Sequence, residues 1–209
     1  MSRALSRGAT LFDTLLLVAG VALVLSVLRL EVAVRHVLGA ESAALADLRD
    51  LATRVDAYRA SAARDLDHDG VGETGPLGDM LGERARAFRR ADAANAWRRG
   101  GYWFTALVPG RDRTPAPPSD DPALADLAEA AWLLVAWPVE PGTTGMRAYL
   151  RTQHDGLLRH TVDGYPYGGP TRPPFPRVPL ARVVAGRLAP ASLRDEDAWV
   201  SPREDQRGR

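Results

Sequence analysis

Residues 6–30 read SRGATLFDTLLLVAGVALVLSVLRL and form the most apolar stretch of the sequence. From Thr14 to Leu28 no side chain is charged, and leucine and valine dominate. A helix that crosses a bilayer needs about 20 mostly apolar residues, and residues 9–30 supply that length only if Asp13 is included. Arginines precede the apolar run, which favours an N-terminus in the cytoplasm. The stretch therefore predicts a transmembrane helix over residues 9–30.

Three interpretations of this stretch differ in how they treat Asp13. A cleaved secretory signal should end in small residues, but the best candidate cleavage site, ending at Ala40, has Leu38 at its minus-three position. A plain signal anchor explains the apolar residues but leaves Asp13 as an unexplained cost, since a carboxylate in the membrane typically costs a few kcal/mol unless it finds a partner. The third interpretation gives the acid a partner.

The third interpretation rests on a short basic leader ending in Gly8, an apolar helix, and an acid at the fifth position after the glycine. This arrangement resembles the N-terminus of type IV pilins and type II secretion pseudopilins. The resemblance implies that a prepilin peptidase cleaves after Gly8 and methylates the new amine of Ala9. It also implies that Asp13 neutralises the N-terminal amine of a neighbouring subunit, because opposite charges attract strongly in a low-dielectric helix bundle. The chain has Asp13 and Ala9 where the family usually has glutamate and phenylalanine or methionine.

The resemblance also implies partners and a location. The chain would be a structural subunit of a type IV pilus-like or type II secretion pseudopilus filament. Its partners would be copies of itself or related pilin-like subunits, and the prepilin peptidase. It would cross the inner membrane once, with its N-terminus in the cytoplasm and its head outside, and would assemble into a filament in the periplasm or at the cell surface. The alternative is a singly anchored envelope protein with a calcium-stabilised binding head that never polymerises.

The helical pattern continues beyond the apolar stretch. From residue 41 to 62, apolar residues recur every three or four positions, which is typical of a helix with one buried stripe; they are Leu45, Leu48, Ala52, Val55, Tyr58 and Ala62. No proline occurs from Ala9 to Ala63. We therefore expect the membrane helix to continue as an exposed helix over residues 31–63, with two helices hinged at Gly39 as the alternative.

An acidic loop follows the helix, with the sequence RDLDHDGVGETGPLGDML over residues 64–81. Alternating aspartates before a glycine match the opening of an EF-hand loop, in which side chains and one backbone carbonyl bind calcium. The loop thus predicts a Ca²⁺ site formed by Asp65, Asp67, Asp69, the carbonyl of Val71, and Glu73. The twelfth position is Pro76 rather than a bidentate glutamate, so Asp79, Glu83 or water would have to complete the ligand set. The alternative is a solvated Asp-Gly turn without an ion.

The rest of the chain, residues 64–209, predicts a globular head with a proline-rich C-terminal segment. Four runs are typical of β-strands: residues 102–108, 133–137, 146–152 and 157–161. Asp155-Gly156 is a strong hairpin signal, and the alanine- and arginine-rich residues 81–95 favour a short surface helix. We expect an α+β fold in which the exposed half of the long helix packs on a small antiparallel sheet of three or four strands, an arrangement that also resembles pilin heads. Residues 1–8 would be the leader.

Composition and motifs argue against several functions. The 209 residues carry 27 basic and 26 acidic side chains, and this balance gives no reason to expect nucleic acid as a partner. The absence of cysteine excludes disulfides, thiolate nucleophiles and cysteine metal sites. The four histidines form no zinc motif, and no nucleophile elbow, P-loop or dinucleotide-binding motif occurs. We therefore do not expect an enzyme.

Overall fold

The computed structural model describes residues 11–91, 95–154, 156–161, 169–170, 180–184 and 187–190. The chain divides into two compact units, Met1–His36 and Val37–Arg209. The expected leader, with Gly8 and Ala9, lies outside the described residues, as does most of the proline-rich segment near the C-terminus. What the sequence predicts for those positions stays a prediction.

The described part of the chain contains three α-helices, two 3₁₀ helices and nine strands. The helices are α1 (Leu11–Ala60), α2 (Leu77–Leu81) and α3 (Ala125–Ala130), and the 3₁₀ helices span Gly82–Ala87 and Pro122–Leu124. The strands are β1 (Arg89–Arg90), β2 (Trp97–Arg99), β3 (Tyr102–Pro109), β4 (Pro115–Ala116), β5 (Leu133–Pro138), β6 (Arg147–Thr152), β7 (Gly156–Thr161), β8 (Ala181–Val184) and β9 (Arg187–Pro190).

The first unit contains the N-terminal part of α1. Every residue from Phe12 to His36 is exposed, and the most apolar 18-residue window of the helix has a mean hydropathy of 2.3 with none of it buried. The helix is long and apolar enough to cross a bilayer, as the sequence predicts. Asp13 lies in its first turn, where a negative charge interacts favourably with the helix dipole. Helical hydrogen bonding continues through Gly39 without a break.

A seven-stranded antiparallel sheet forms the centre of the second unit. Its strands lie in the order β1-β2-β3-β5-β6-β7, with β4 paired to β3, while β8 and β9 form a separate pair. The four strands that the sequence predicts are confirmed as β3, β5, β6 and β7, which are neighbours in the sheet. β6 and β7 form the expected hairpin, with Thr152 opposite Gly156. Three short strands enlarge the sheet beyond the expected three or four.

The strand β5 is buried along its whole length because both faces of the sheet are covered. Alternate side chains of a strand point to opposite faces. Leu134 and Ala136 therefore join one hydrophobic cluster with α1, while Leu133, Val135 and Trp137 join a second cluster with Leu180 and Ala181. This explains why the sequence of β5 is a continuous apolar run rather than an alternating one.

The stripe predicted on the long helix packs on the sheet. Leu48, Ala52 and Val55 are fully buried and lie in one cluster with Phe104 and Leu134. Fully burying a leucine or valine side chain stabilises a fold by about 1.5–3 kcal/mol. The predicted α+β fold, with a long N-terminal helix on a small antiparallel sheet, is therefore confirmed.

Two acidic side chains of α1 fix the rotation of the helix on the sheet. Glu41 is only 4% exposed, and its oxygens accept hydrogen bonds from the Met146 N–H at 2.8 Å and from Nη1 of Arg147 at 2.9 Å. Asp47 accepts a hydrogen bond from Nη1 of Arg99 at 2.7 Å. Buried charges need such partners, because an isolated one would be strongly destabilising. These contacts are directional, whereas the apolar stripe alone tolerates small rotations.

In the described part of residues 81–95, the predicted surface helix does not form as one helix: a 3₁₀ helix covers Gly82–Ala87, and the prediction is wrong for the described residues after it. α2 ends at Leu81, and Gly82 follows with a φ of +53°, outside the helical range. Phe88 then becomes extended and buried, packing edge to face on Phe104 with ring centroids 5.6 Å apart. β1 follows directly and pairs with β2. Here aromatic packing and strand pairing outweigh the helix propensity of alanine and arginine.

Leu48→Ala removes a fully buried side chain from the helix–sheet contact, and we expect it to lower the free energy of unfolding by about 2–5 kcal/mol. Leu38→Ala is the matched control because Leu38 is 55% exposed on the same helix, and we expect a change below about 0.5 kcal/mol. Urea unfolding of the full chain in detergent, followed by tryptophan fluorescence, measures both. Equal losses in the two variants would contradict this packing.

Candidate metal centre

The candidate site begins in the loop that connects α1 to α2. The loop folds back on the end of the helix, and the Glu73 N–H donates a hydrogen bond to the Arg64 carbonyl at 3.0 Å. Gly72 permits this close approach, because a Cβ there would lie 2.2 Å from the carbonyl oxygen of Arg59. Gly70 has a φ of +88°, which glycine adopts without strain. The geometry of the turn therefore favours glycine at both positions.

Backbone N–H groups of the same loop orient its three aspartates. Asp65 accepts hydrogen bonds from the N–H groups of Asp69 and Gly70, both at 3.1 Å. Asp67 accepts one from the Asp69 N–H at 3.2 Å, and Asp69 accepts one from the Val71 N–H at 2.7 Å. The loop thus holds three carboxylates close together with its own main chain.

Two groups of three carboxylates meet at this loop. Asp65, Asp67 and Glu73 each place one oxygen so that the three lie within 4.8 Å of one another, and Asp67, Asp69 and Glu129 do the same. Asp67 belongs to both groups. Since Ca²⁺ binds oxygen at about 2.4 Å, two oxygens on one ion are at most about 5 Å apart. The spacing is therefore compatible with oxygens that share a cation.

Glu73 is the most buried member of the cluster, with no exposed surface. Its Oε1 accepts a hydrogen bond from the Leu66 N–H at 2.6 Å. Its Oε2 is also buried and has no hydrogen-bond partner among the described residues. A buried carboxylate oxygen without a donor is strongly unfavourable.

Glu129 reaches the cluster from α3, and the end of α3 is held by side chains from elsewhere. Arg59, in the last turn of α1, donates a hydrogen bond from Nη2 to the carbonyl of Glu129. Gln153 donates to the carbonyl of Ala130 at 2.7 Å. Both bonds satisfy carbonyls that a helix leaves free at its C-terminus. The backbone that carries Glu129 is thereby fixed beside the loop.

The pKa of Glu129 reflects its burial and the acids around it. Burial raises its pKa to about 7, with further contributions from the negative charges of Asp69, Asp67 and Glu73. Its Oε1 is buried without a hydrogen-bond partner among the described residues. Burial, the neighbouring negative charges and the missing hydrogen-bond donor all disfavour the charged form of Glu129. A cation bound among the oxygens would favour that charged form instead.

The four predicted acidic ligands, Asp65, Asp67, Asp69 and Glu73, come together in this way. For Val71, the described contact is the hydrogen bond of its N–H to Asp69, so its carbonyl ligand stays a prediction. Asp79 and Glu83 are exposed and belong to neither group of carboxylates in the described residues. Sequence reasoning missed Glu129, which lies far along the chain on another element. No local spacing signals it, because only the tertiary fold brings α3 to the loop.

Of the residues predicted for processing and assembly, the structure describes Asp13. Asp13 is exposed in the first turn of the helix, and Gly8 and Ala9 lie outside the described residues. No family model, curated protein or solved structure matches the chain.

Gly72→Ala places a methyl group against the carbonyl oxygen of Arg59, and we expect it to lower the free energy of unfolding by about 1–3 kcal/mol. Gly39→Ala is the control. Its Cβ would meet no atom within 4 Å, and alanine in a helix interior is favoured over glycine by about 0.5–1 kcal/mol. Thermal unfolding of the full chain should show a loss for the first variant and a gain for the second. Unchanged stability of Gly72→Ala would rule out the close approach of the loop.

Proposed function

We propose that the chain is a structural subunit of a filament of the type IV pilus or type II secretion pseudopilus kind. In this proposal a prepilin peptidase cleaves after Gly8 and methylates Ala9, and the apolar part of α1 holds the subunit in the inner membrane until it packs into a fibre. The second unit lies outside the membrane. The partners are copies of the chain or related subunits, and the chain has no catalytic role.

The observation that carries the proposal is the exposure of the apolar half of α1. All residues from Phe12 to His36 are exposed, and seventeen large apolar side chains among the described residues are at least 44% exposed, nearly all of them in this half. An apolar surface of this size is unstable in water and has to be covered by lipid or by other helices. A filament subunit uses both coverings in turn: the bilayer before assembly and neighbouring helices afterwards.

Asp13 distinguishes assembly from simple anchoring. It lies five positions after Gly8, in the first turn of an otherwise apolar helix. A carboxylate at this position attracts a positive charge strongly in a low-dielectric helix bundle. The new amine of Ala9 on a neighbouring copy would be such a charge, and pairing would then set the axial register between two helices.

The other half of α1 connects this assembly surface to the second unit. Leu48, Ala52 and Val55 are fully buried, and Glu41 is hydrogen-bonded to Met146 and Arg147. A subunit needs a helix that is firmly packed at one end and apolar and exposed at the other. These features of α1 support a filament subunit more specifically than an anchor, which requires only the apolar segment.

Replacement of Asp13 tests the proposal in cells that have an active prepilin peptidase. We expect Asp13→Ala to insert into the membrane normally but to be largely lost from the sheared filament fraction, because the amine of the neighbour loses its partner. Asp13→Glu is the matched control. It keeps the charge, and we expect it to assemble about as well as the unmodified chain. Quantitative immunoblots of membrane and filament fractions measure both steps.

The mass of the mature N-terminus gives a second, independent result. We expect a chain that begins at Ala9 and carries one added methyl group. A chain that retains Met1, or an Asp13→Ala variant that functions as well as the unmodified chain, would contradict the proposal. Those results would favour a singly anchored envelope protein instead.

A further inference from the structure

We infer that the loop after α1 and the helix α3 together bind one Ca²⁺ ion, with Glu129 of α3 completing the ligand set that the loop begins. The ligands from the loop are Asp65, Asp67, Asp69 and Glu73. This inference does not depend on the proposed filament, because it concerns a site within a single chain.

The carboxylate oxygens have a spacing that is compatible with a shared cation. Both groups of three carboxylates have oxygens within 4.8 Å of one another, and both include Asp67. In an EF-hand-like loop the twelfth position supplies a late glutamate, but here that position is Pro76. Glu129 supplies a carboxylate from outside the loop instead, and its group shares Asp67 with the group formed by Asp65, Asp67 and Glu73.

Buried carboxylate oxygens that lack hydrogen-bond donors support the site independently of how the carboxylates cluster. Glu73 has no exposed surface, and its Oε2 has no hydrogen-bond partner among the described residues. Oε1 of Glu129 is also buried without a partner there. Nearly all buried polar atoms of native proteins are satisfied, and each exception needs an explanation. A cation bound among these carboxylates accounts for buried oxygens that have no hydrogen-bond donor.

The neighbouring arginines do not form ion pairs with the carboxylates of the cluster. Arg59 donates its hydrogen bonds to Gln153 and to the backbone carbonyl of Glu129. Arg64 donates to the Ser119 carbonyl and to Asp120. Among the described residues, no arginine forms an ion pair with any of the five acids. Arg59 attracts Glu129 electrostatically, but the four acids of the loop have no paired arginine among the described residues.

The chemistry of the ligands selects the ion. All five are carboxylates, which suit hard cations such as Ca²⁺ rather than zinc or copper. His68 is exposed and belongs to neither group. Ligands from two separate elements form an irregular site, which Ca²⁺ accommodates with its six to eight oxygens, whereas Mg²⁺ demands near-ideal octahedral geometry.

The ion would fasten α3 to the end of α1. The direct backbone link between the loop and α3 is one hydrogen bond, from the Thr74 N–H to the Ala128 carbonyl at 3.4 Å. An ion bound by Asp67 and Glu129 adds a second link between the same elements. Binding to the folded chain alone raises the melting temperature by mass action, so the ion should stabilise this part of the protein.

The experiment compares thermal unfolding of the full chain in detergent with 1 mM Ca²⁺ and with EGTA at pH 8. We expect Ca²⁺ to raise the melting temperature by at least about 5 °C, and Mg²⁺ at the same concentration to give a clearly smaller shift. Calorimetric titration with Ca²⁺ should show one ion bound per chain. No shift with Ca²⁺, or an equal shift with Mg²⁺, would overturn the assignment.

Glu129→Gln tests the part played by α3. We expect Ca²⁺ affinity to fall at least about tenfold, while the melting temperature in EGTA stays the same or rises, because the amide removes one negative charge from the cluster. Glu140→Gln replaces an exposed acid in a turn and is the matched control. We expect it to change neither the Ca²⁺ affinity nor the melting temperature in EGTA. Asp67→Asn, at an exposed ligand, should also weaken binding and serves if Glu129→Gln does not fold. Unchanged Ca²⁺ affinity in either ligand variant would overturn the inference.

Discussion

The burial of one stripe of α1 against the sheet is the constraint on which the other features of the second unit depend. Leu48, Ala52 and Val55 are fully buried in one cluster with Phe104 of β3 and Leu134 of β5. Glu41 and Asp47, on the same helix, form hydrogen bonds that fix its rotation. The contact therefore fixes the position of the C-terminal half of α1 against the sheet. Without it, the acidic loop would have no fixed position relative to α3.

The end of α1 links packing to electrostatics. Arg59, in the last turn of the helix, caps the C-terminus of α3 through the carbonyl of Glu129, and Gly72 lets the loop approach the carbonyl of Arg59. The same two contacts bring the carboxylates of the loop and of α3 together. Concentrated negative charge at this point opposes folding. The proposed Ca²⁺ ion would offset that cost.

The sequence predicts the architecture well because its signals are local and periodic. Three- and four-residue spacing gives the stripe with Leu48 and Val55, and apolar runs between turn residues give the four central strands. The failures occur where long-range contacts decide. The predicted helix over residues 81–95 is replaced by β1 and a buried Phe88 that packs on Phe104. Of the candidate site, the four acids of the loop are visible in the sequence as an alternating pattern. Glu129 is not, since only the packing of α3 brings it there.

The two units present different physical problems. In the described part of the second unit, most large apolar side chains are buried. In the first, the apolar side chains from Phe12 to Val34 are exposed, so their covering must come from outside the single chain. In the proposed function, helices of neighbouring subunits provide that covering in the filament.

Photo-crosslinking tests whether helices of neighbouring subunits cover the exposed apolar part of α1. A photoreactive phenylalanine analogue placed at Val18, on the exposed apolar part of α1, reports what lies against the helix in cells that make the protein. The account predicts covalent adducts with a second copy of the chain or with another subunit that has an apolar N-terminal helix. It also predicts that such adducts disappear in the Asp13→Ala variant. Adducts with lipid alone, at the same level with and without Asp13, would contradict it.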